Sequence, residues 1–216
     1  MRVIVFLGAP GSGKGTQAKR LSTASAVNYV HLSTGDMLRD AIRREEPLGR
    51  TANAYMSQGE LVPDDVMIDL IKSVLSRVEN TAPSATILMD GFPRTIPQAT
   101  ALDLGEKTRV AMAVFFSVPE SVLISRLTGR RICKACGASF HVEFLPPKHS
   151  SVCDKCGGKL FQREDDSRDV VINRLRVFGS QNESLLDHYR ESNRLVTIDA
   201  DRPVEQIHCD VVTKLR

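Results

Sequence analysis

The chain has 216 residues, of which 42% are hydrophobic and 25% charged, and a formal net charge of +3. Those proportions suit one main globular core with room for a small inserted module and exclude a disordered chain. So mild a charge gives no case for a nucleic-acid binder, no run approaches a membrane span, and the opening MRVIVFLGAPGSGKG breaks into glycines where a signal core would continue, so a cytoplasmic location is expected.

Taken in chain order, Arg2–Leu7 reads as a buried strand, and Gly and Pro punctuation then leads into a helix over Gly13–Ala24. Strands are expected at Tyr29–Leu32, Thr86–Met89, Val110–Phe116 and Leu195–Ile198, and helices at Pro63–Val78, Glu120–Leu127 and Arg168–Arg190. Nearly continuous apolar strands alternating with helices predict an α/β fold: a parallel sheet with helices on both faces, and a ligand at the carboxyl ends of its strands. Residues Arg130–Asp166 break the rhythm with four cysteines, a Pro146-Pro147 pair and several glycines, and read as an insertion.

Gly8-Ala9-Pro10-Gly11-Ser12-Gly13-Lys14-Gly15-Thr16 follows a strand and opens a helix, the setting a phosphate-binding loop requires. Small residues let successive N–H groups converge on phosphate oxygens, the helix N-terminus adds partial positive charge, and Lys14 can reach the terminal phosphates. The general pattern has Ser or Thr directly after the lysine, whereas Gly15 stands there and Thr16 follows. The competing reading is a Gly-rich turn without a ligand.

Four of the five cysteines form two pairs, Cys133-x-x-Cys136 and Cys153-x-x-Cys156, separated by sixteen residues. That spacing matches a structural zinc ribbon, and a closed four-thiolate shell leaves no open position for a catalytic water. Two disulfides, or His141 or His149 replacing one cysteine, are the alternatives. Cys209 is left over and is expected to be a small buried hydrophobe.

The GKGT loop is joined by Ser33-Thr34-Gly35-Asp36-Met37-Leu38-Arg39, by Asp90-Gly91-Phe92-Pro93-Arg94-Thr95, and by Gly129-Arg130-Arg131 ahead of the cysteines. Together these motifs resemble the adenylate kinases, in the branch with a long, metal-bearing lid, and the resemblance covers nearly the whole chain. It implies a five-stranded P-loop core formed by residues 1–32, 63–128 and 167–216, a helical monophosphate-binding segment at 33–62 and a small zinc-ribbon lid at 129–166. The implied reaction is reversible transfer of the terminal phosphoryl group of MgATP to AMP, giving two ADP, by a monomer carrying structural Zn2+.

The same resemblance implies the site. Gly11, Ser12, Gly13, Lys14, Gly15 and Thr16 would hold ATP phosphates, Arg126 would pack over the adenine, and Ser139, Phe140 and Arg202 would add further ATP contacts. Thr34, Arg39, Glu60, Leu61, Val62, Gly91, Phe92, Pro93, Arg94 and Gln98 would bind AMP. Arg130, Arg163 and Arg174 would surround the transferring group, and Asp90 would organise Mg2+ through its waters. The residue chemistry agrees, because planar guanidinium forks suit a doubly charged phosphate. Plainer roles compete: a cap for Thr34 or Asp90, a solvated helix position for Gln98, and surface ion pairs to Glu164, Asp165 and Asp166 for the lid arginines. A kinase for UMP, CMP or GMP, or a nucleotide-switched binding module whose ribbon contacts nucleic acid, would share parts of this pattern.

Overall fold

A strand covered on both faces needs apolar side chains at consecutive positions. Arg2–Leu7 meets that condition and forms β1, with Val3 to Phe6 no more than 1% exposed, in a computed structural model that describes residues 1–24, 27–105 and 108–215. The main chain then runs through α1 (Lys14–Ala24), β2 (Tyr29–Ser33), α2 (Thr34–Arg43), α3 (Pro47–Met56), α4 (Asp64–Thr81), β3 (Thr86–Asp90), α5 (Ile96–Asp103), β4 (Arg109–Ser117) and α6 (Glu120–Thr128). The cysteine-bearing insertion contributes β5 (Arg130–Cys133), β6 (Ser139–His141) and β7 (Leu160–Phe161), and a 3-10 turn at Glu164–Asp166 leads into α7 (Arg168–Glu191), β8 (Leu195–Asp199) and α8 (Val204–Leu215).

Five strands pair in parallel in the order β2-β3-β1-β4-β8, so the expected α/β fold with a parallel five-stranded core is what the chain adopts. Alternate residues of β1 serve opposite faces. Val3, Val5 and Leu7 pack with Ile71 and Val74 of α4, Leu102 of α5 and Leu185 of α7, whereas Ile4 and Phe6 meet Leu21 of α1 and Val211 of α8. Full burial of such a side chain contributes about 1.5–3 kcal/mol, so the central strand anchors both layers.

Each expected strand and helix is present, displaced by no more than three residues at an end. The sequence reading set no bounds for α2 and α3, which form the helical segment expected at 33–62, and did not name α5 and α8. Two of these are short helices started by local caps: Ser33 Oγ accepts from the Asp36 N–H at 3.4 Å and Thr95 Oγ1 from the Gln98 N–H at 3.4 Å. Cys209 corrects an expectation, because it is exposed. Helix α8 buries Ile207, Val211 and Leu215, four residues apart, and Cys209 lies off that face.

Away from the carboxyl ends of the strands, Asp103 at the end of α5 ties α7 to the entry of β8. It accepts two bonds from Arg194, at 2.6 and 2.8 Å, and lies 2.9 Å from His188 Nε2, while the Arg194 guanidinium sits 5.1 Å from the Tyr189 ring centre. Burial pushes the Asp103 carboxyl up, but the hydrogen bonds from Arg194 and His188 outweigh it and hold it below the usual range. A carboxylate so depressed stabilises the fold above its unfolded value of about 3.9, and that contribution disappears as pH falls through the lower folded value. Asp103→Asn is therefore expected to cost about 1–3 kcal/mol at pH 7 in urea unfolding. The difference from wild type should narrow steadily as pH is lowered below about 4; a gap independent of pH would contradict the assignment.

Candidate active site

The phosphate loop turns at the end of β1 because Gly8, Gly11 and Gly13 adopt φ of 139°, 84° and 95°, a region L side chains rarely enter. Its lysine is held within the loop: Lys14 Nζ donates to Gly8 O at 2.7 Å, Ala9 O at 2.8 Å and Ser12 Oγ at 3.3 Å. Burial lowers its pKa to about 8, and repulsion by Arg94, Arg174 and Arg130 adds to the effect against the opposing pull of Asp90.

The departure at Gly15 has a spatial cause. A Cβ at that position would lie 3.0 Å from Asp90 Oδ2, so the absent side chain leaves room for a carboxylate from the end of β3. Burial pushes Asp90 up, yet the neighbouring His31, whose Nε2 is 3.5 Å from Asp90 Oδ2, and the Lys14 charge hold it below the ordinary range. It is ionised at neutral pH and faces the loop.

Arginines from four separate segments meet beside these groups. Arg39 of α2 bonds Asp36 at 2.6 Å and approaches Asp165 at 3.6 Å, while Arg163 reaches Asp36 at 3.2 Å. Arg130 grips Asp166 through two bonds of 2.8 and 2.5 Å. Arg174 lies 3.1 Å from Asp165 and 3.3 Å from Asp166, and it also donates to the Asp165 carbonyl at 2.7 Å. Asp165 and Asp166 are buried, so the pairs that Arg130 and Arg174 make with them are not surface ion pairs, whereas Asp36, which Arg39 and Arg163 reach, is exposed. Burial lowers Arg163 to about 10, with repulsion from Arg39 as the next cause; Arg94 is still open to solvent along the cleft, and the protein crowded around it, followed by repulsion from Arg174, lowers it as well.

Arg94 is set by its own turn. Its Nε donates to Gly91 O at 2.8 Å, and its backbone N–H donates to Gln98 Oε1 at 2.8 Å. Gln98 is buried and its amide nitrogen donates to Asp64 Oδ1 at 2.7 Å, so it braces the Gly91–Arg94 turn from beneath. Phe92 and Pro93 are buried there, and Thr34, 1% exposed, spans to Asp90 O at 3.4 Å. Glu60 Oε1 and Gln58 O accept from Asn173 Nδ2 at 2.9 and 2.6 Å, which ties the stretch leading to Leu61 and Val62 to α7.

On the other side of the loop, Arg126 donates to Ala200 O at 3.0 Å and approaches Asp201 at 3.3 Å. Arg202 is in the same corner, bonded to Asp199 O at 3.1 Å and paired with Asp210. Thr16 and Ser139 are exposed, whereas Phe140 is packed in the insertion's small core with Cys133, Ala138, Cys153 and Leu160. Only the Phe140 backbone is left to meet a ligand. The sequence reading did not single out the brace Asn173 or Asp36 as a counter-charge, and it weighed Asp165 and Asp166 only as surface partners of the lid arginines. The signal of Asp165 and Asp166 is weak, since an acidic residue on a short polar turn looks solvated until the fold buries it.

The four cysteines come together. Their Sγ atoms all lie within 4.8 Å of one another, with Cys133–Cys156 at 3.5 Å and Cys136–Cys153 at 3.6 Å, and none is in a disulfide. Each pair sits on a tight turn, with the Gly137 N–H bonding Cys133 O and the Gly157 N–H bonding Cys153 O. Thiolates on a tetrahedral ion at about 2.3 Å would stand ~3.8 Å apart, so this cluster can hold one metal ion. His141 is bonded elsewhere, with Nε2 3.1 Å from Ser125 O and Nδ1 3.0 Å from two backbone N–H groups. Among the described residues no helix is long and apolar enough to cross a membrane.

Comparison with known proteins agrees with this arrangement. The adenylate kinase family model matches residues 6–194. An adenylate kinase of Methanocella arvoryzae is 46% identical over 215 residues, covering 98% of this chain and 97% of that protein. Those of Carboxydothermus hydrogenoformans and Syntrophobacter fumaroxidans are 44% and 49% identical, covering 99% and 91% of the chain and the same shares of their own lengths. A family match that starts inside β1 and runs to the residue before β8, with relatives aligned from end to end, leaves one conclusion: the chain belongs to the adenylate kinase family.

Proposed function

We infer that the protein catalyses reversible transfer of the terminal phosphoryl group of MgATP to AMP, giving two ADP. The observation that carries this reading is the meeting of Lys14, Arg39, Arg94, Arg130, Arg163 and Arg174 at one cleft, with Asp36, Asp90, Asp165 and Asp166 among them. In the forward direction an AMP phosphate oxygen attacks the γ-phosphorus, and the bond to the β,γ-bridging oxygen breaks. The attacking oxygen is already anionic, so no proton need be removed and no general base is required. Catalysis then rests on alignment and on offsetting charge as it redistributes among the phosphate oxygens.

In this reading the N–H groups of Gly11–Thr16 and the Lys14 ammonium hold the donor phosphates, and Arg126 with the Ala200–Arg202 corner receives the adenine. Ser139 and the Phe140 backbone approach from the lid. Arg39 and Arg94 fork onto the AMP phosphate, with Thr34, Gln98 and the Glu60–Val62 backbone beside its base and ribose. Arg130, Arg163 and Arg174 span the two phosphate chains. The metal arrives with the substrate, and Asp90, ionised beside the loop, would orient its waters. The lid at 129–166 would exclude water that otherwise competes as acceptor. The four-thiolate cluster suits zinc, a soft-ligand tetrahedral site with no open position, and its role would be structural. We place the protein in the cytoplasm as a monomer with nucleotides as its ligands and no nucleic acid.

A coupled assay for ADP from ATP plus AMP tests the reaction, and no comparable rate is expected with UMP in place of AMP. Arg94→Ala should lower the forward rate on the order of a hundredfold; an unchanged rate would sink its placement on the acceptor. The lowered Lys14 pKa fixes a pH profile. A lysine at about 8 is charged below that value and loses its charge as pH rises through it, so kcat/KM for MgATP should hold to about pH 8 and then fall by up to tenfold per unit. Lys14→Arg should move that falling limb upward, because a guanidinium stays charged. Removing the metal with a chelator should lower Tm by several degrees while activity at low temperature survives; loss of activity with folding intact would contradict a structural ion.

A further inference from the structure

His141 was weighed from the sequence only as a stand-in metal ligand, and its contacts assign it different work. At the base of the lid, Arg130 of β5 lies opposite His141 of β6. Directly opposed residues in an antiparallel pair share a face, with Cβ atoms about 5 Å apart. Each of these two bonds to a separate part of the lid's root. Arg130 takes Asp166 on the segment that returns to α7, and His141 takes Ser125 O in the last turn of α6, the helix from which the lid departs.

The hydrogen bonds fix the ring's tautomer. The N–H groups of Glu143 and Phe144 can only donate, and both point at Nδ1 from 3.0 Å, so Nδ1 is the acceptor. The hydrogen is then on Nε2, which donates to Ser125 O at 3.1 Å. That carbonyl is at the negative end of the α6 dipole and also accepts from the Gly129 N–H at 3.1 Å. The imidazole is 8% exposed and stacks on Phe144, with ring centres 4.4 Å apart and planes 22° apart. Gly129, between α6 and β5, is shaped to this contact, because a Cβ there would fall 2.2 Å from His141 Nε2.

We propose that His141 is a positioning residue for the ATP side of the reaction: a hinge pin that fixes the lid strand carrying Arg130 against the end of α6 carrying Arg126. Both of its ring nitrogens are taken up by protein groups. Its action passes through Arg130, its cross-strand neighbour, and through Ser125, which precedes Arg126 in the chain. The proposal rests on the phosphotransfer reading above and adds to it a residue whose loss should separate the two nucleotides.

Three variants divide the functions of the ring. His141→Asn keeps an acceptor for the Glu143 and Phe144 N–H groups but is too short to reach Ser125 O. His141→Gln extends an N–H donor to that carbonyl. Gly129→Ala leaves the histidine in place and displaces its ring. His141→Asn and Gly129→Ala should each raise KM for MgATP roughly tenfold while KM for AMP moves less than about twofold, with bound metal unchanged, and His141→Gln should recover most of the loss. Equal rises for both nucleotides, or a Gln variant as impaired as the Asn variant, would overturn the proposal. Should the variants fail to fold, 15N spectra of the histidines in the wild-type protein decide: the Nε2–H tautomer is expected for His141, and the Nδ1–H tautomer excludes the pin. A wild-type protein that forms no ADP from ATP and AMP would instead defeat the phosphotransfer reading, leaving the tautomer to be judged by itself.

Discussion

Mutual repulsion among six cations is the constraint on which the rest of this structure depends. Lys14 and five arginines are drawn into one cleft, where partial burial strengthens every interaction between them. Such a cluster is tolerated only if carboxylates are interleaved with it, and Asp36, Asp90, Asp165 and Asp166 fill that place. The balance stays net positive, as a cleft that binds phosphate groups would need. Because each arginine is already hydrogen-bonded on one side, its planar fork is held in orientation before a ligand arrives, and less entropy remains to be lost on binding.

The counter-charges also explain how distant parts of the chain are joined. Asp165 and Asp166 lie on a three-residue 3-10 turn at the end of the insertion, just ahead of α7, and from there they engage Arg39, Arg130 and Arg174. Asp36 connects α2 to Arg163 on the lid side. Although Leu38, Ala52 and Val62 share the main apolar core with Leu185 and Tyr189 of α7, the contacts that join segment 33–62, the insertion and α7 on the cleft side are ion pairs. Contacts of that kind can be exchanged for phosphate oxygens without exposing hydrophobic surface, which suits parts that must close on a charged ligand and release it.

Within the cysteine-bearing insertion two devices divide the work. The cysteine cluster shapes the distal end, where a core of five small or flat side chains is too slight to fix a fold unaided. The base is held by Arg130 on Asp166 and by His141 on the end of α6. Gly15 shows a similar economy in the phosphate loop: a side chain present in the general motif is omitted, and Asp90 from a neighbouring strand occupies the space.

The amino-acid sequence by itself determined the layered α/β core, because continuous apolar runs such as Arg2–Leu7 can only be buried on both faces. It determined the phosphate loop and the four-thiolate cluster as well, since both depend on spacing within a few residues. What it left unread were short capped helices such as α2 and α5, whose signals are a single Ser or Thr, and the exposure of Cys209, which depends on which face α8 turns inward. Only the tertiary structure decided the roles of Asp165, Asp166, Gln98 and His141. A carboxylate, an amide or an imidazole has no fixed meaning until its partners are brought to it, and the partners that decide these roles come from other elements: Arg39 for Asp165, Arg130 for Asp166, Asp64 for Gln98 and Ser125 for His141. Local chemistry is written in neighbouring residues, whereas charge balance and hinge geometry arise only where distant segments meet.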